Sequence, residues 1–431
     1  MAQTNVAAGS NLAIKQFSVV LSSQITRAPG NLKALTGAPP TSAQAQKNLK
    51  FQTAEGMPFV RIRDLATNPN KGDKVSVDAF DAITMKPIMG DRNAEGRGQR
   101  LSSSSFEVTI DLATFNVDAG GKMSRQRTVH ELRMLAKANL ARQIPMFAWQ
   151  RCLVHAAGMR GSQTGVSWNV PIATDADFAE IMVNTVKAPT YNRHYVLNGS
   201  GLTRGGLQAA SLATTDLWKL ARLDDLALIC ESMETKLPPP RVEGDEQAYD
   251  SPIKGILMMP PSSYNSLITD LTSGNNLRAF QSAVEQRQKW APNSAVFRGD
   301  CGMWRGILVK KMDHTVKLAA SASFNYVAVA DRLTATETAG TVAAGLSTTH
   351  QLERSILLGA QSIARCEGAS NSGEEASIIE VASNGGRNFE YLGEYMAGEA
   401  KFRFSFPNES GDKEPTDNVL VIDAAAPIVA A

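Results

Sequence analysis

The sequence predicts an α+β fold on three observations: a long helix near residue 140, a two-stranded ribbon before it, and mixed helices and strands after it. Between Thr128 and Gly158, apolar residues recur at helical spacing. They are Val129, Leu132, Ala136, Leu140, Ile144, Phe147 and Val154. Thr128 and Glu131 match a capping box at the helix start. Pro145 should bend the helix and Gly158 should end it, so this segment can form the framework of a domain.

The ribbon is predicted from Gly72 to Asp118. On its return limb, Phe106, Val108, Ile110 and Leu112 alternate with Glu107, Thr109, Asp111 and Ala113. The apolar phase shifts at residues 79/80 and again at 113/114, equidistant from a point between Gly96 and Arg97. That point lies in the polar, glycine-containing run 90–98, which is typical of a hairpin tip. The two shifts are either paired across the ribbon or a chance feature of a short window.

The ribbon is expected to contact a neighbouring copy of the chain. A long two-stranded ribbon is marginally stable alone in water, and no third strand is apparent beside it. The apolar contact candidates are Phe106, Val108, Ile110 and Leu112. The charged candidates at the tip are Asp91, Arg92, Glu95, Arg97 and Arg100. Their mixed signs suit ion pairs with a neighbouring chain, and a solvated loop is the alternative.

Composition limits the protein class. With 431 residues, 43% of them apolar and 20% charged, the chain can bury a sizeable core in two or three lobes. A net charge of +2 argues against a protein that holds nucleic acid through many phosphate contacts. No apolar run is long enough for a membrane span, and the start does not resemble a secretory signal. The cysteines at 152, 230, 301 and 366 are scattered, which favours reduced thiols in a cytoplasmic product.

The rest of the chain indicates an N-terminal arm and then a mixed lobe. Residues 1–50 are rich in small and polar residues, and an apolar edge follows at 58–65. The passage 160–213 shows no sustained periodicity, so whether it forms an ordered insertion stays open. Helices are predicted at 215–236, 261–271, 277–288 and 352–367. Strands are predicted at 253–259, 306–312, 324–330, 389–406 and 419–422.

Charge is distributed unevenly. From Lys122 to Arg160 there are eight basic residues and one acid, whereas from Glu367 to Asp417 there are eleven acids and four basic residues. The two segments could face one another within a domain or across a contact between chains. Two solvated faces, or a basic face directed toward DNA, are the alternatives.

None of the catalytic motifs considered matches the sequence in full. Cys152 and His155 lie one helical turn apart, but no third partner is identifiable. His130 and Glu131 are not followed by the second histidine of a zinc helix, and no glycine-rich run is followed by Lys-Ser or Lys-Thr. We therefore expect no catalytic, cofactor-binding or metal-binding residues and no enzymatic activity. A cytoplasmic thiol enzyme or metal-independent enzyme is the alternative from another class.

Several segments, in this order, resemble the major capsid proteins of tailed double-stranded DNA phages, specifically the family related to the coliphage N-four capsid protein. The segments are 72–75, 90–96, 121–128, 188–194, 293–299, 302–306 and 358–361. They read GDKV, GDRNAEG, GKMSRQRT, APTYNRH, NSAVFRG, GMWRG and LGAQ. The resemblance runs from about residue 57 to 407; no single motif is diagnostic, and the order and spacing carry it.

The resemblance implies the Hong Kong 97 capsid fold. Its divisions would be an N-terminal arm (1–71), an extended loop (72–118) and a peripheral domain with a spine helix (119–159). An axial domain (160–385, including the possible insertion 160–213) and a return to the peripheral domain with a C-terminal tail (386–431) would follow. The charged segments would then meet in one domain.

The function implied is that of a major capsid protein, which assembles as pentamers and hexamers into an icosahedral head. The partners implied are further copies of the chain, a scaffolding protein, a portal, cement or decoration proteins and non-specifically held double-stranded DNA, with no membrane. The protein would be assembled in the host cytoplasm and reside in the virion. The alternative within this fold is the subunit of a non-viral, encapsulin-like shell.

Overall fold

Helices and strands are mixed along the chain, as the α+β prediction requires. The computed structural model describes residues 35–36, 56–67, 72–80, 87–89, 95, 103–121, 132–164, 168–199, 201–241, 252–290, 295–297, 299–346, 349–370, 375–383, 388–407 and 412–428. The helices are α1 (Asp64–Thr67), α2 (Leu132–Ala157), α3 (Phe178–Met182), α4 (Leu220–Ser232), α5 (Pro261–Ser273) and α6 (Leu277–Trp290).

The strands in the first half are β1 (Phe59–Ile62), β2 (Lys74–Phe80), β3 (Ser103–Thr109), β4 (Asp111–Gly121), β5 (His194–Asn198), β6 (Gly201–Arg204), β7 (Gly255–Met259), β8 (Cys301–Trp304) and β9 (Ile307–Lys311). Those in the second half are β10 (Lys317–Leu318), β11 (Ser323–Val327), β12 (Glu337–Thr341), β13 (His350–Leu358), β14 (Ile363–Glu367), β15 (Ala376–Ser383), β16 (Asn388–Lys401), β17 (Arg403–Pro407), β18 (Lys413–Asp417) and β19 (Val419–Pro427).

The predicted long helix is confirmed as α2, with Pro145 inside it. Five of its predicted apolar positions are buried: Ala136, Leu140, Ile144, Phe147 and Val154. Gly158 ends the helix in the left-handed region (φ 68°), and its N–H donates to the Val154 carbonyl at 2.9 Å. The capping pair Thr128 and Glu131 lies outside the described residues.

A five-stranded sheet lies against α2. It contains β1, β14, β15, β16 and β4, and the long strand β16 pairs with β14, β15 and β4. The Phe147 ring on α2 lies 5.2 Å from the Phe115 ring on β4 and 6.2 Å from the Tyr395 ring on β16. Gly393 on β16 has no side chain, and a Cβ there would lie 3.0 Å from Ile144. The helix therefore packs directly on the middle of the sheet.

An eight-stranded sheet forms the second part of the core. Its order is β6-β5-β19-β13-β7-β9-β8, and β10 also pairs with β13. One apolar cluster joins this sheet to α4, α5 and α6 through Leu226, Leu267 and Phe280. The opposite cluster joins the sheet to α2 through residues such as Met258 and Cys152. Both faces of the central strands are thus buried.

The base of the predicted ribbon is confirmed as the antiparallel pair β2 and β3, but its predicted register is wrong. Val75 lies opposite Val108, and Ala79 lies opposite Ser104, not opposite residue 113 or 114. The described pairs are symmetric about a point between Asp91 and Arg92. After Ile110 the return limb leaves β2, and β4 pairs with β16 instead. The shift in apolar phase marks this change of partner.

The helix predicted at 352–367 is wrong, because the segment forms two strands, β13 and β14. Leu352 and Ile356 have helical spacing, yet every residue from Leu352 to Leu358 is buried between two layers. A strand buried on both faces loses the alternation that distinguishes it from a helix.

The helix predicted at 215–236 begins later, at Leu220. The Asp216 carboxylate accepts hydrogen bonds from the backbone N–H groups of Gly199 and Ala213, which fixes a loop there. The first turn of α4 is instead capped from another helix, since the Leu220 N–H donates to the Asp270 carboxylate at 2.8 Å.

The passage 160–213 contains ordered elements, and its two strands join the second sheet. It includes α3, β5 and β6, and β5 pairs in parallel with β19. The membership of the two sheets does not change at residue 385, the expected boundary between the axial domain and the return to the peripheral domain. Strands β14 and β15, before this residue, share the first sheet with β16. Strand β19, after it, lies between β5 and β13 in the second sheet.

Candidate assembly surface

The charged residues predicted to contact a neighbour cannot be placed together. Asp91, Arg92, Arg97 and Arg100 lie outside the described residues. Glu95 is described and is exposed in a turn. The predicted contact role of these five residues stays a prediction.

The apolar residues at the ribbon base have partners in their own chain. Phe106 and Val108 are buried, and Ile110 packs against the same cluster. The Phe106 ring lies 5.3 Å from the Phe402 ring and 6.3 Å from the Phe404 ring. The expectation that these three residues lack a partner within the chain is therefore wrong. The closing segment that supplies the partners is distant in sequence.

Leu112 behaves differently, because it remains 45% exposed. On β4, Ala113 and Phe115 point toward the α2 cluster, so Leu112, Thr114 and Asn116 belong to the opposite face. Leu112 lies opposite Met396, and Asn116 lies opposite Leu392.

The same face continues onto β15. Ile379 lies opposite Leu392, and Val381, which is 38% exposed, lies opposite Glu390. We call the set Leu112, Ile379, Val381, Leu392 and Met396 the outer sheet face. Of this set, the sequence pattern indicates only Leu112, because the other four residues lie on β15 and β16, which are distant from β4 in sequence.

Exposed apolar side chains also occur at the start of α2. Met134 is 67% exposed and Leu135 is 51% exposed. Large exposed apolar groups that cluster are typical of protein contact surfaces. The periodicity of α2 indicated its buried face but gave no reason to single out these two residues.

The basic and acidic segments face each other within one chain. Arg133 and Lys137 on α2 both pair with Glu380 on β15. The Arg133 Nε also donates to the Tyr391 hydroxyl at 2.9 Å. Deeper in the core, an Arg151 nitrogen lies 2.8 Å from a Glu399 carboxylate oxygen. The expectation that the two segments face one another is confirmed for these pairs, which form within one chain.

A buried charged cluster fastens the strand that precedes the ribbon. Arg61 on β1 bonds Glu367 on β14, and the Arg63 Nε lies 3.1 Å from the same carboxylate. Arg365 pairs with Glu375 at 2.6 Å. Burial, with the nearby Glu375 charge, raises the pKa of Glu367. Burial also opposes the ionised form of Glu375, but Arg365 and Arg61 outweigh it and lower that pKa.

A second buried cluster joins the end of α2 to the second sheet. Asp423 on β19 accepts hydrogen bonds from Arg354 at 2.7 Å and pairs with His194 at 2.8 Å. Arg354 also donates to the Ala157 carbonyl at 2.8 Å. Although burial opposes ionisation, the Arg354 charge outweighs it and lowers the pKa of Asp423. The last turn of the long helix is thus held by charge-assisted bonds.

The Cys152 and His155 side chains on α2 are held in neutral states. Burial raises the pKa of the Cys152 thiol and lowers that of His155 to about 3. A neutral thiol beside a neutral, weakly basic imidazole is the opposite of an activated pair. The described residues contain no group of three or more His, Cys, Asp or Glu suited to a metal ion. In the described part of the chain, no helix combines the length and apolar character needed to cross a bilayer.

Comparison with known proteins gives a family and a set of similar structures. The family model described as "Phage capsid protein" matches residues 5–428. The capsid of Ralstonia phage GP4 is similar with a TM-score of 0.67 and 20% identity, over 100% of both chains. The capsid of cyanophage Pam1 is similar with a TM-score of 0.56 and 16% identity, over 86% of this chain and 90% of that chain.

The head of Helicobacter pylori bacteriophage KHP40 is similar with a TM-score of 0.50 and 10% identity, over 86% of this chain and 87% of that chain. Among curated proteins, the comparison finds no match.

Proposed function

The chain belongs to the phage capsid protein family, and from this premise we propose that it is the major subunit of an icosahedral phage head, assembled as pentamers and hexamers around packaged double-stranded DNA. The observation that carries the proposal is the family match over residues 5–428. The chain has the Hong Kong 97-like fold of phage capsids. The same family match favours a phage head over an encapsulin-like shell.

The finer assignment, to the family of the coliphage N-four capsid protein, is also a proposal. The ordered motifs between residues 57 and 407 support it. The GDKV motif at 72–75 opens the ribbon, and the APTYNRH motif at 188–194 leads into β5.

The domain assignment that we propose follows the two sheets. The five-stranded sheet with α2 would form the peripheral domain, and the eight-stranded sheet with α4, α5 and α6 would form the axial domain. The chain would cross between them more than once, because β14 lies in the first sheet and β19 in the second. Residues 1–71 would supply the arm and 72–118 the extended loop, with its base fixed on its own subunit.

For the contacts between subunits, we propose the ribbon tip and the outer sheet face. The candidates that remain are Asp91, Arg92, Glu95, Arg97, Arg100 and Leu112. Phe106, Val108 and Ile110 would instead hold the base of the ribbon. Exposed ion pairs contribute only about 0–1 kcal/mol each. Repeated around a closed shell, contacts of this size can still decide whether assembly completes.

The proposed partners follow from this role. They are further copies of the chain, a separate scaffolding protein, a portal and cement or decoration proteins. DNA would be enclosed without sequence recognition, in agreement with a net charge of only +2. Assembly would take place in the host cytoplasm and yield a component of the virion capsid.

Electron microscopy of the purified full chain, with and without its scaffolding protein, tests the proposal. We expect closed particles of uniform size built from pentamers and hexamers. A folded chain that forms no closed particle under either condition would refute the shell role. Particles that exclude DNA in infected cells and retain a protein cargo would support the non-viral shell.

A further inference from the structure

A cleft of about 540 Å³ opens beyond the end of α2. One wall is the loop 158–162, a second is the segment around Phe178 and Val186, and a third comes from β10 and β11. The apolar side chains in these walls include Met159, Ile172, Phe178, Val186, Leu318 and Phe324. This volume lies within the range of small-ligand sites, which are mostly apolar with a few placed polar groups.

Arg160 lies in the wall of this cleft and is only 2% exposed. Its Nε donates to the Val170 carbonyl at 3.0 Å, and its guanidinium carbon lies 3.6 Å from the Trp168 ring centre. Its Nη1 is buried and has no hydrogen-bond partner. Among the described residues, no ion pair joins Arg160 to a carboxylate. A buried donor of this kind is costly unless something accepts from it.

The loop that carries Arg160 is fixed in place. The Ser162 N–H donates to the Lys317 carbonyl at 2.8 Å, and the Lys317 N–H donates to the Gln163 amide oxygen at 3.0 Å. Gly161 adopts φ 83°, and a Cβ there would lie 2.8 Å from the Lys317 carbonyl oxygen. The cation is therefore held in position before any ligand arrives, which lowers the entropic cost of binding.

Glu337, the acid of the cleft lining, accepts hydrogen bonds from two other residues. Its Oε1 accepts from the Ala188 N–H at 2.7 Å and its Oε2 accepts from the Asn325 amide at 3.1 Å. Burial lowers the pKa of Arg160 to about 10, so the guanidinium stays charged at neutral pH. Among the described lining residues, the Glu337 carboxylate thus bonds neutral donors and forms no ion pair with the Arg160 guanidinium.

We propose that this cleft binds a carboxylate carried on an apolar group, with Arg160 as the carboxylate ligand. Guanidinium groups bind carboxylates through charge-assisted hydrogen bonds, and the apolar walls would cover the rest of the ligand. The same chemistry could come from a free organic acid or from an acidic side chain of a second copy. Binding by the unassembled chain does not rest on the proposed role in a shell, whereas the choice between the two sources does.

Equilibrium dialysis of 2-naphthoate against the full-length chain tests the proposal, with 2-naphthamide as the uncharged probe. We expect saturable binding of the acid to unassembled subunits, and about tenfold weaker binding of the amide, because a hydrogen bond to a charged group is lost. Arg160→Gln should bring the affinity for the acid down to that for the amide. Ala322→Phe keeps Arg160 but fills the cleft, so it should weaken both probes about tenfold or more. Arg278→Gln, an exposed arginine on α6, is the matched control and should bind normally.

Binding measured on closed particles distinguishes a free organic acid from an acidic side chain of a second copy. Binding of 2-naphthoate to both subunits and particles supports a free acid, whereas binding to subunits alone supports a neighbour's acidic side chain already in place. Equal affinity for the acid and the amide would overturn the inference, as would no saturable binding to subunits. Unchanged binding by a folded Ala322→Phe variant would also overturn it, even if Arg160→Gln failed to fold.

Discussion

An Arg151 nitrogen lies 2.8 Å from a carboxylate oxygen of Glu399, and neither side chain is exposed. Arg151 belongs to the long helix α2 and Glu399 to the long strand β16. The Tyr395 hydroxyl donates to the other Glu399 oxygen at 2.7 Å. This pair joins the basic segment to the acidic segment in the interior of the molecule, so its effect should be seen in the stability of a single subunit.

Breaking this pair should be strongly destabilising. Arg151→Ala would leave the Glu399 charge buried without its partner, which typically costs about 3–5 kcal/mol. Chemical denaturation of the unassembled subunit measures the loss. Lys311→Ala breaks the exposed Lys311–Asp300 pair and is the matched control, with an expected cost of about 0–1 kcal/mol. Equal losses for the two variants would contradict a structural role for the buried pair.

The ribbon base should contribute to the stability of its own subunit. Phe106→Ala removes a ring that packs against Phe402 and Phe404, and should cost about 3–5 kcal/mol in unassembled protein. Leu112→Ser, on the outer sheet face, should change subunit stability by no more than about 0.5 kcal/mol. If thermal unfolding shows Phe106→Ala to be as stable as Leu112→Ser, the packing of the ribbon base is wrong.

A close approach between backbones predicts a strict requirement for glycine at position 398. A Cβ at Gly398 would lie 1.9 Å from the Thr109 carbonyl oxygen, where β3 passes β16. Gly398→Ala should therefore cost at least about 1–3 kcal/mol through overpacking. Gly345→Ala, where a Cβ meets nothing within 4 Å, is the control and should be nearly neutral. An unfolding midpoint unchanged by Gly398→Ala would show that the strands do not approach this closely.

His155 should contribute a loss of stability to the subunit in mild acid. Burial, followed by the Arg151 charge, lowers the pKa of His155 from 6.5 to about 3 in the folded chain. Below pH 6.5 the unfolded chain therefore takes up a proton at this residue that the folded chain does not, and the destabilising contribution of His155 grows until about pH 3. The slope is about 1.4 kcal/mol per pH unit for one proton.

Free energies of unfolding at pH 7 and pH 5 test this expectation. The change in unfolding free energy from pH 7 to pH 5 should be about 2 kcal/mol more favourable in His155→Gln than in the natural sequence. His350→Gln, at a partly exposed position, is the control and should keep the natural loss. Identical losses in His155→Gln and the natural sequence would show that His155 does not titrate in this way.

The sequence was sufficient for features with a strong local pattern. Apolar spacing predicted α2, because Leu140, Ile144 and Phe147 repeat over many turns. The segregation of charge predicted that the two segments meet, but not that Arg133 would select Glu380 or that Arg151 would select Glu399. Those choices depend on the register of β15 and β16, which no local pattern contains.

The errors have a common physical cause, which is burial by residues distant in sequence. The ribbon pattern predicts that Phe106 contacts a neighbouring chain, because no partner is apparent near it in sequence. Its partners, Phe402 and Phe404, follow it by almost three hundred residues. Residues 352–367 were assigned to a helix because β13 is buried on both faces. The outer sheet face required knowledge of which strands lie beside β4, and Arg160 required knowledge of which walls surround it.

The central claim is that the chain is a shell subunit whose ribbon tip contacts a neighbour. The most direct test is to count the closed shells that form from the double variant Arg92→Glu with Arg97→Glu. Circular dichroism of the same subunit is recorded beside the electron micrographs. The account predicts native helicity with few or no closed shells, because ion pairs between chains are reversed in sign while the fold is left intact. Normal numbers of closed shells with native helicity would contradict it.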